Sequence, residues 1–205
     1  MHEPSKLHLI RHGQTDLNRD RRFRGLSDAP LNDEGKYEAA GAAKLLVDAG
    51  LSKIYTSPVP RAAQTATAIA VTTGARLEAD DAFIDIDYGD WQGLTVDEVR
   101  ERFGPEKLKA WRRDPGAFTF PGGDSIQSVM DRLKPALLRV ATEAGEGSIA
   151  VVTHMAVLKL CFVVLMDVEA TYFWKVGLDN GSAGLFTYSP ESGFVLERWN
   201  QPPMR

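Results

Sequence analysis

The segment Ser148-Ile149-Ala150-Val151-Val152-Thr153 is apolar at nearly every position instead of at alternate ones. A strand with one wet face alternates apolar and polar residues. A continuous run of this kind suits a strand covered on both faces, as in parallel sheets flanked by helices. An apolar helix over 156–166 follows at once, and Leu7-His8-Leu9-Ile10 reads as a second short strand. Between them, Asn32 caps a helix that reaches about Asp48, with Asp33 and Glu34 in its first turn. A strand over 53–56 leads to a helix over 60–73 ended by Gly74. Extended segments are expected at 76–79 and 83–87, and short helices at 96–103 and 106–112. A long helix over 125–144 contains Pro135, which should bend or end it. Two late antiparallel strands, 183–188 and 194–199, are joined through Pro190-Glu191-Ser192-Gly193. Strands alternating with helices give a three-layer α/β/α sandwich with a mostly parallel central sheet and an antiparallel edge. No repeat or linker divides the chain, so a single domain over 1–205 is expected, with a helical cap at about 95–122.

Composition narrows the function classes. The 205 residues are 43% hydrophobic and 25% charged, the ordinary balance of a globular protein. The lone Cys161 rules out an internal disulfide framework and a cysteine-cluster zinc site. Residues 1–6 have no apolar signal segment. The longest apolar stretch, 155–166, holds Lys159 and falls short of the roughly 20 residues of a bilayer span. These features imply a cytoplasmic protein without a membrane partner, and leave a homodimer open. The net charge of −4 argues against a nucleic-acid partner. It conceals a segregation: Arg11, Arg19, Arg21, Arg22 and Arg24 lie close together, whereas 78–101 has nine acids and one base, Arg100.

In open α/β sheets, ligands sit off the carboxyl ends of the strands. Three polar groups follow directly on expected strands: Arg11-His12, the segment Ser57 to Arg61, and His154. They should meet at one sheet edge, with a carboxylate from 83–87. His2 and His8 read as structural histidines.

The ordered motifs carry a resemblance. Arg11-His12-Gly13-Gln14-Thr15 with Asn18 resembles the opening motif of the histidine phosphatase superfamily, the phosphoglycerate-mutase-like fold. Arg24-Gly25-Leu26-Ser27-Asp28-Ala29-Pro30-Leu31, then Ser57-Pro58 through Arg61-Ala62, resemble its next blocks. The segment Asp85 to Gly93, Pro121-Gly122-Gly123-Asp124-Ser125 and Val151-Val152-Thr153-His154 complete the set. The pattern is most similar to the alpha-ribazole phosphatase branch.

The resemblance implies a metal-independent phosphatase, without cofactor, acting on a small phosphorylated metabolite. His12 would be the nucleophile and form a phosphohistidine, its second ring nitrogen held by backbone near Gly13. Arg11, Arg61 and Asn18 would bind the phosphoryl oxygens, and a protonated His154 would add positive charge as the transition state forms. Asp85 would be the general acid where the family more often has glutamate, with Asp81 and Asp87 as nearby alternatives. Arg24, Gly25, Tyr88 and Met155 would contact substrate. Met155 replaces the family's usual glycine, so its side chain either projects over the pocket or turns into the core. Phe23, Trp91, Trp111 and Phe120 are further aromatic candidates for the leaving-group pocket. Arg22 and Arg24 could reach a second anionic group, and Lys159 is expected to face away from the phosphate.

Other readings compete. A phosphoglycerate mutase of the same family would return the phosphoryl group to substrate, but the short acidic segment after Asp85 lacks the expected basic insertion. A phosphate-binding pseudoenzyme is suggested by the Asp85 and Met155 departures. Phe83-Ile84-Asp85-Ile86-Asp87 also resembles the strand end of magnesium-dependent haloacid-dehalogenase-type phosphatases. Gly89 departs from that pattern, and His12, Arg61 and His154 would then have no role.

Overall fold

In the computed structural model, which describes residues 3–205, six strands form one sheet in the order β3-β2-β4-β1-β5-β6. The strands are β1 (Ser5–Arg11), β2 (Leu51–Thr56), β3 (Arg76–Ala79), β4 (Ser148–Thr153), β5 (Ala183–Ser189) and β6 (Gly193–Gln201). β3, β2, β4 and β1 run parallel, and β5 and β6 add an antiparallel edge. The expected sandwich is therefore present. His2 lies outside the described residues.

The middle strand shows why β4 reads as uniformly apolar. All six of its residues are buried. Ile149 and Val151 point into a core shared with α6 (Ile126–Ala144) and α7 (Met155–Leu165). Ala150 and Val152 point into a second core with α2 (Asp33–Leu46) and α3 (Pro60–Thr73). That second core is built largely of alanines, including Ala42, Ala43, Ala62 and Ala66, so the helices can approach closely. The remaining helices are the single turn α1 (Asp16–Arg19), α4 (Val96–Phe103) and α5 (Pro105–Arg113).

One alternative for Pro135, that it ends the helix, and the expected extended segment 83–87 are corrected. Helix α6 continues through Pro135 without a break. Proline removes one backbone bond, but Leu133, Ala136, Leu137 and Val140 are buried on either side of it, and their packing outweighs the loss. Residues 83–87 do not join the sheet. Asp80 caps a short 3-10 turn over Asp81–Phe83 by accepting from the Ala82 N–H at 2.9 Å. The carbonyls beyond it are satisfied by side chains: Arg132 of α6 donates to Ala82 O at 2.7 Å and to Ile84 O at 2.8 Å. Thr153 Oγ1 donates to Phe83 O at 2.6 Å, which ties this irregular segment to the end of β4.

The parallel register places the chemistry. Arg11 pairs with Thr153, and Thr56 with Val152, so β1, β2 and β4 end together. His12, Ser57 and His154 follow those three ends. The His12 and Ser57 N–H groups still donate to Thr153 O and Val152 O, both at 3.0 Å, extending the ladder into the site.

Candidate active site

His12 is fully buried and held at one nitrogen. Its Nδ1 lies 2.6 Å from Gly13 O, a carbonyl that can only accept, so Nδ1 carries the hydrogen. Nε2 is buried and has no partner. Burial, followed by His154, Arg61 and Arg11, pushes the imidazole pKa well below its ordinary value. The ring is therefore neutral at physiological pH, with a lone pair on Nε2. Gly13 makes this geometry available: a Cβ there would lie 2.2 Å from Gly35 O, where α2 abuts the loop.

The second histidine lies 5.2 Å away, ring centre to ring centre. His154 is the N-cap residue of α7. Its Nε2 is 2.8 Å from Ser57 Oγ, and its Nδ1 is 3.5 Å from Asp85 Oδ2. Ser57 Oγ also accepts from the Val59 N–H. A consistent arrangement has the serine hydroxyl donating to Nε2, leaving Nδ1–H toward Asp85. Burial, then Arg61, Arg24 and Arg132, lower the His154 pKa well below its ordinary value. The protonated His154 of the expectation belongs to the phosphate-bound site; in the free site burial and then the surrounding arginines favour the neutral ring.

The arginines are less free than their motifs suggest. Arg61, buried in the first turn of α3, donates to Ser27 O at 2.8 Å, Gly25 O at 2.7 Å and Asp85 Oδ2 at 2.8 Å. Only its Nε lacks a partner. Arg11 donates to Leu178 O at 2.5 Å and also has an unpartnered buried Nε. Burial pulls its pKa down to about 10, which still leaves it charged at neutral pH. Asn18 Oδ1 accepts from the Thr15 N–H and hydroxyl in a capping box, while its Nδ2 is buried and unpartnered. The other Asp85 oxygen accepts from the Ile86 N–H at 2.9 Å. Asp87 instead accepts from the Gly89 N–H, and Asp81 begins the short turn, so Asp85 is the carboxylate beside His154.

Above this centre lies a cavity of about 610 Å³, lined by Arg11, Asn18, Arg24, Tyr88 and Met155 among others. Met155 thus projects over the pocket. Gly25 does not line it; its carbonyl, at a backbone φ of 51°, positions Arg61. Of the aromatic candidates, Phe23 and Trp111 line the cavity, whereas Trp91 and Phe120 are fully buried in the cluster behind them. Arg22 also borders the cavity but is engaged by Glu98 and Gly93 O. Lys159 also lines the cavity.

The sequence reading also missed Asn180. This residue lies just before β5, lines the cavity and donates from Nδ2 to His12 O at 3.1 Å. The Asp179-Asn180-Gly181 turn before an expected strand was its only local signal. Arg132, which supports the Asp85 segment from α6, left no such signal.

The chain belongs to the histidine phosphatase superfamily (branch 1), whose family model matches residues 7–202. That family and its phosphatase-named members place the chain among enzymes with phosphatase activity. It is 33% identical over 192 residues to phosphoserine phosphatase 1 of Hydrogenobacter thermophilus, covering 94% of this chain and 90% of that one. It is 34% identical over 186 residues to a 2,3-bisphosphoglycerate-dependent phosphoglycerate mutase of Azorhizobium caulinodans, covering 87% and 89%. A mycobacterial glucosyl-3-phosphoglycerate phosphatase, solved as a VO3 complex, superposes with a TM-score of 0.86 at 27% identity, covering 96% and 98%. Among the described residues, no group of three or more His, Cys, Asp or Glu is arranged to hold a metal ion, and no helix is long and apolar enough to cross a membrane.

Proposed function

We propose that the protein hydrolyses a small phosphomonoester through a phosphohistidine on His12. The observation that carries this reading is the buried, neutral His12, pinned at Nδ1 with Nε2 unpartnered. A nucleophile toward phosphorus needs such an oriented lone pair. Nε2 attacks phosphorus as the bond to the leaving oxygen breaks, and Asp85, carrying a proton, gives it to that oxygen. Water then attacks the phosphorus, the N–P bond breaks, and Asp85 takes up the water's proton. Inorganic phosphate leaves.

Arg11, Arg61 and Asn18 each offer an unpartnered buried nitrogen that suits the phosphoryl oxygens. Their preorganised donors are the largest source of rate in this reading. An arriving dianion would draw Arg61 from Asp85 and favour the charged form of His154, reversing the lowered pKa of the free site. The aspartate in place of the family's more common glutamate is carried on backbone held by Arg132, which donates to Ile84 O and Asp85 O, and by Thr153, which donates to Phe83 O.

In this reading the chain acts as one domain. Segment 95–122 forms the cap, a role supported by Val96, Arg100, Leu108 and Trp111 in the cavity wall. The ligand is a phosphorylated metabolite and not a nucleic acid. The lone, buried Cys161 supports a cytoplasmic setting.

Brief mixing with a ³²P-labelled ester followed by a denaturing quench should trap acid-labile label on the protein. His12→Ala should abolish both label and turnover. Turnover retained by that variant would overturn the mechanism. The mutase relative favours a second reading, in which the phosphohistidine is returned to a phosphoglycerate. Release of inorganic phosphate without isomer interconversion decides against it.

A further inference from the structure

The loop after His12 is pinned from outside. The Gly13 N–H donates to Thr65 Oγ1 of α3 at 3.1 Å. Gln14 O accepts from the Asn32 N–H at 3.0 Å, which seats the start of α2 on the loop. The peptide group joining Gly13 to Gln14 is held at both ends by different partners. Its oxygen, Gly13 O, lies 2.6 Å from His12 Nδ1, and its N–H donates to Glu38 Oε2, also at 2.6 Å. One planar amide therefore stands between a carboxylate and the imidazole.

Helix α2 delivers Glu38 because it presses on that amide. Gly35 has no side chain where a Cβ would lie 2.0 Å from Gln14 O and 2.7 Å from Gln14 N. Glu38 stands three residues on, along the same helix face, and helical side chains lean back toward the N-terminus. Its carboxylate thus reaches the Gln14 N–H. On its other side a Cβ on Gly181 would lie 2.9 Å from Glu38 Cβ, so the turn before β5 packs closely there.

A hydrogen bond alone does not call for a charged residue, since a glutamine at this position would offer the same acceptor. The charge is held at a cost. Glu38 is half-buried, and burial raises its pKa; the Gln14 N–H and Arg11 lower it, while Glu34 and Asp179 raise it. The chain therefore keeps a negative charge here against burial and two other acids. Amide resonance gives that charge a use: drawing on the N–H shifts electron density onto the carbonyl oxygen.

We propose that Glu38 is a positioning residue for the nucleophile: its carboxylate polarises the Gly13–Gln14 peptide, and Gly13 O in turn stabilises the charge that His12 acquires. The proposal rests on the phosphohistidine reading above. The Nε2 lone pair forms the bond to phosphorus as the P–O bond breaks, and the leaving oxygen takes that electron pair and the Asp85 proton. Nδ1 keeps its hydrogen, so the ring becomes a cation. The relay moves no proton. It lowers the energy of the ring charge, which disappears when water displaces the imidazole.

Glu38→Gln keeps the acceptor and removes the charge, whereas Glu38→Ala removes both. With protein in excess over 4-nitrophenyl phosphate, release of 4-nitrophenol in a single turnover reads formation of the phosphohistidine. Glu38→Gln should slow that step about 10-fold, the scale of a charged hydrogen bond, with ester affinity and melting temperature held. Glu38→Ala should be at least as slow. In ¹⁵N-histidine-labelled protein, the His12 Nδ1–H proton resonance should move upfield in Glu38→Gln, a change that a merely structural contact would not produce. A full single-turnover rate in Glu38→Gln with loss only in Glu38→Ala, or an unmoved Nδ1–H resonance, overturns the proposal. The two failures are distinguishable. Absence of both 4-nitrophenol release and acid-labile label in the wild-type protein overturns the phosphohistidine reading, whereas equal rates in wild type and Glu38→Gln overturn only this one.

Discussion

At the scale of single residues, the site depends on which atoms are left without partners. Asn18 illustrates this: one end of its amide completes a capping box with Thr15, while the other end faces the cavity with nothing to bond. Asn18→Asp preserves the acceptor that holds the box and replaces the donor with a negative oxygen. On the proposed role, kcat/KM should fall by about 10²-fold or more while the melting temperature changes little, and steady-state kinetics with thermal melting check both. A fall in melting temperature with activity retained would assign Asn18 to structure alone. The charge state of His154 belongs to the same scale. The motif identifies the residue, but its neutrality comes first from burial and then from Arg61, Arg24 and Arg132, which arrive from three separate parts of the chain. No local pattern around Val151-Val152-Thr153-His154 carries that information.

At the scale of elements, most boundaries follow from local chemistry. Asn32 and Ser125 cap α2 and α6 through their side chains, and Gly74 closes α3 in the left-handed conformation that costs glycine little. Pro135 is the exception, because its local cost is overridden by the buried stripe on α6. Its own side chain is exposed, so Pro135→Ala restores a backbone donor without disturbing the core. The variant should be more stable by about 1–3 kcal/mol, read as an upward shift in the denaturant midpoint. No shift would mean that α6 already compensates for the missing bond. Segment 83–87 was legible as the carrier of the acid but not as irregular backbone, because its hydrogen-bond partners, Arg132 and Thr153, lie about 50 and 70 residues away in sequence.

At the scale of the whole molecule, burial of imidazoles couples stability to pH. His8 on β1 is largely enclosed, and burial followed by Lys6 and Arg198 pushes its pKa down to about 4. An unfolded histidine titrates near 6.5. Between those values the unfolded chain binds a proton that the folded chain does not, so stability falls as pH drops from about 6.5 to about 4. His12 and His154 act in the same direction. His8→Gln should flatten the acid side of the stability profile by about 3 kcal/mol over that window, measured by denaturant unfolding at successive pH values. An unchanged slope would show that His8 is not responsible. The same lowering for His12 predicts that the acid limb of kcat/KM lies below the ordinary histidine range. By itself, the sequence determined the sheet, its helices and the histidines and arginines at its carboxyl edge, because apolar periodicity, caps and strand-end motifs are written in consecutive residues. Tertiary structure alone decided that Arg61 is engaged by Gly25, Ser27 and Asp85, that His154 is neutral, that Asn180 supports His12, and that Lys159 faces the cavity. Each of those depends on the field or the hydrogen bonds of residues distant in the chain, which only folding brings within reach.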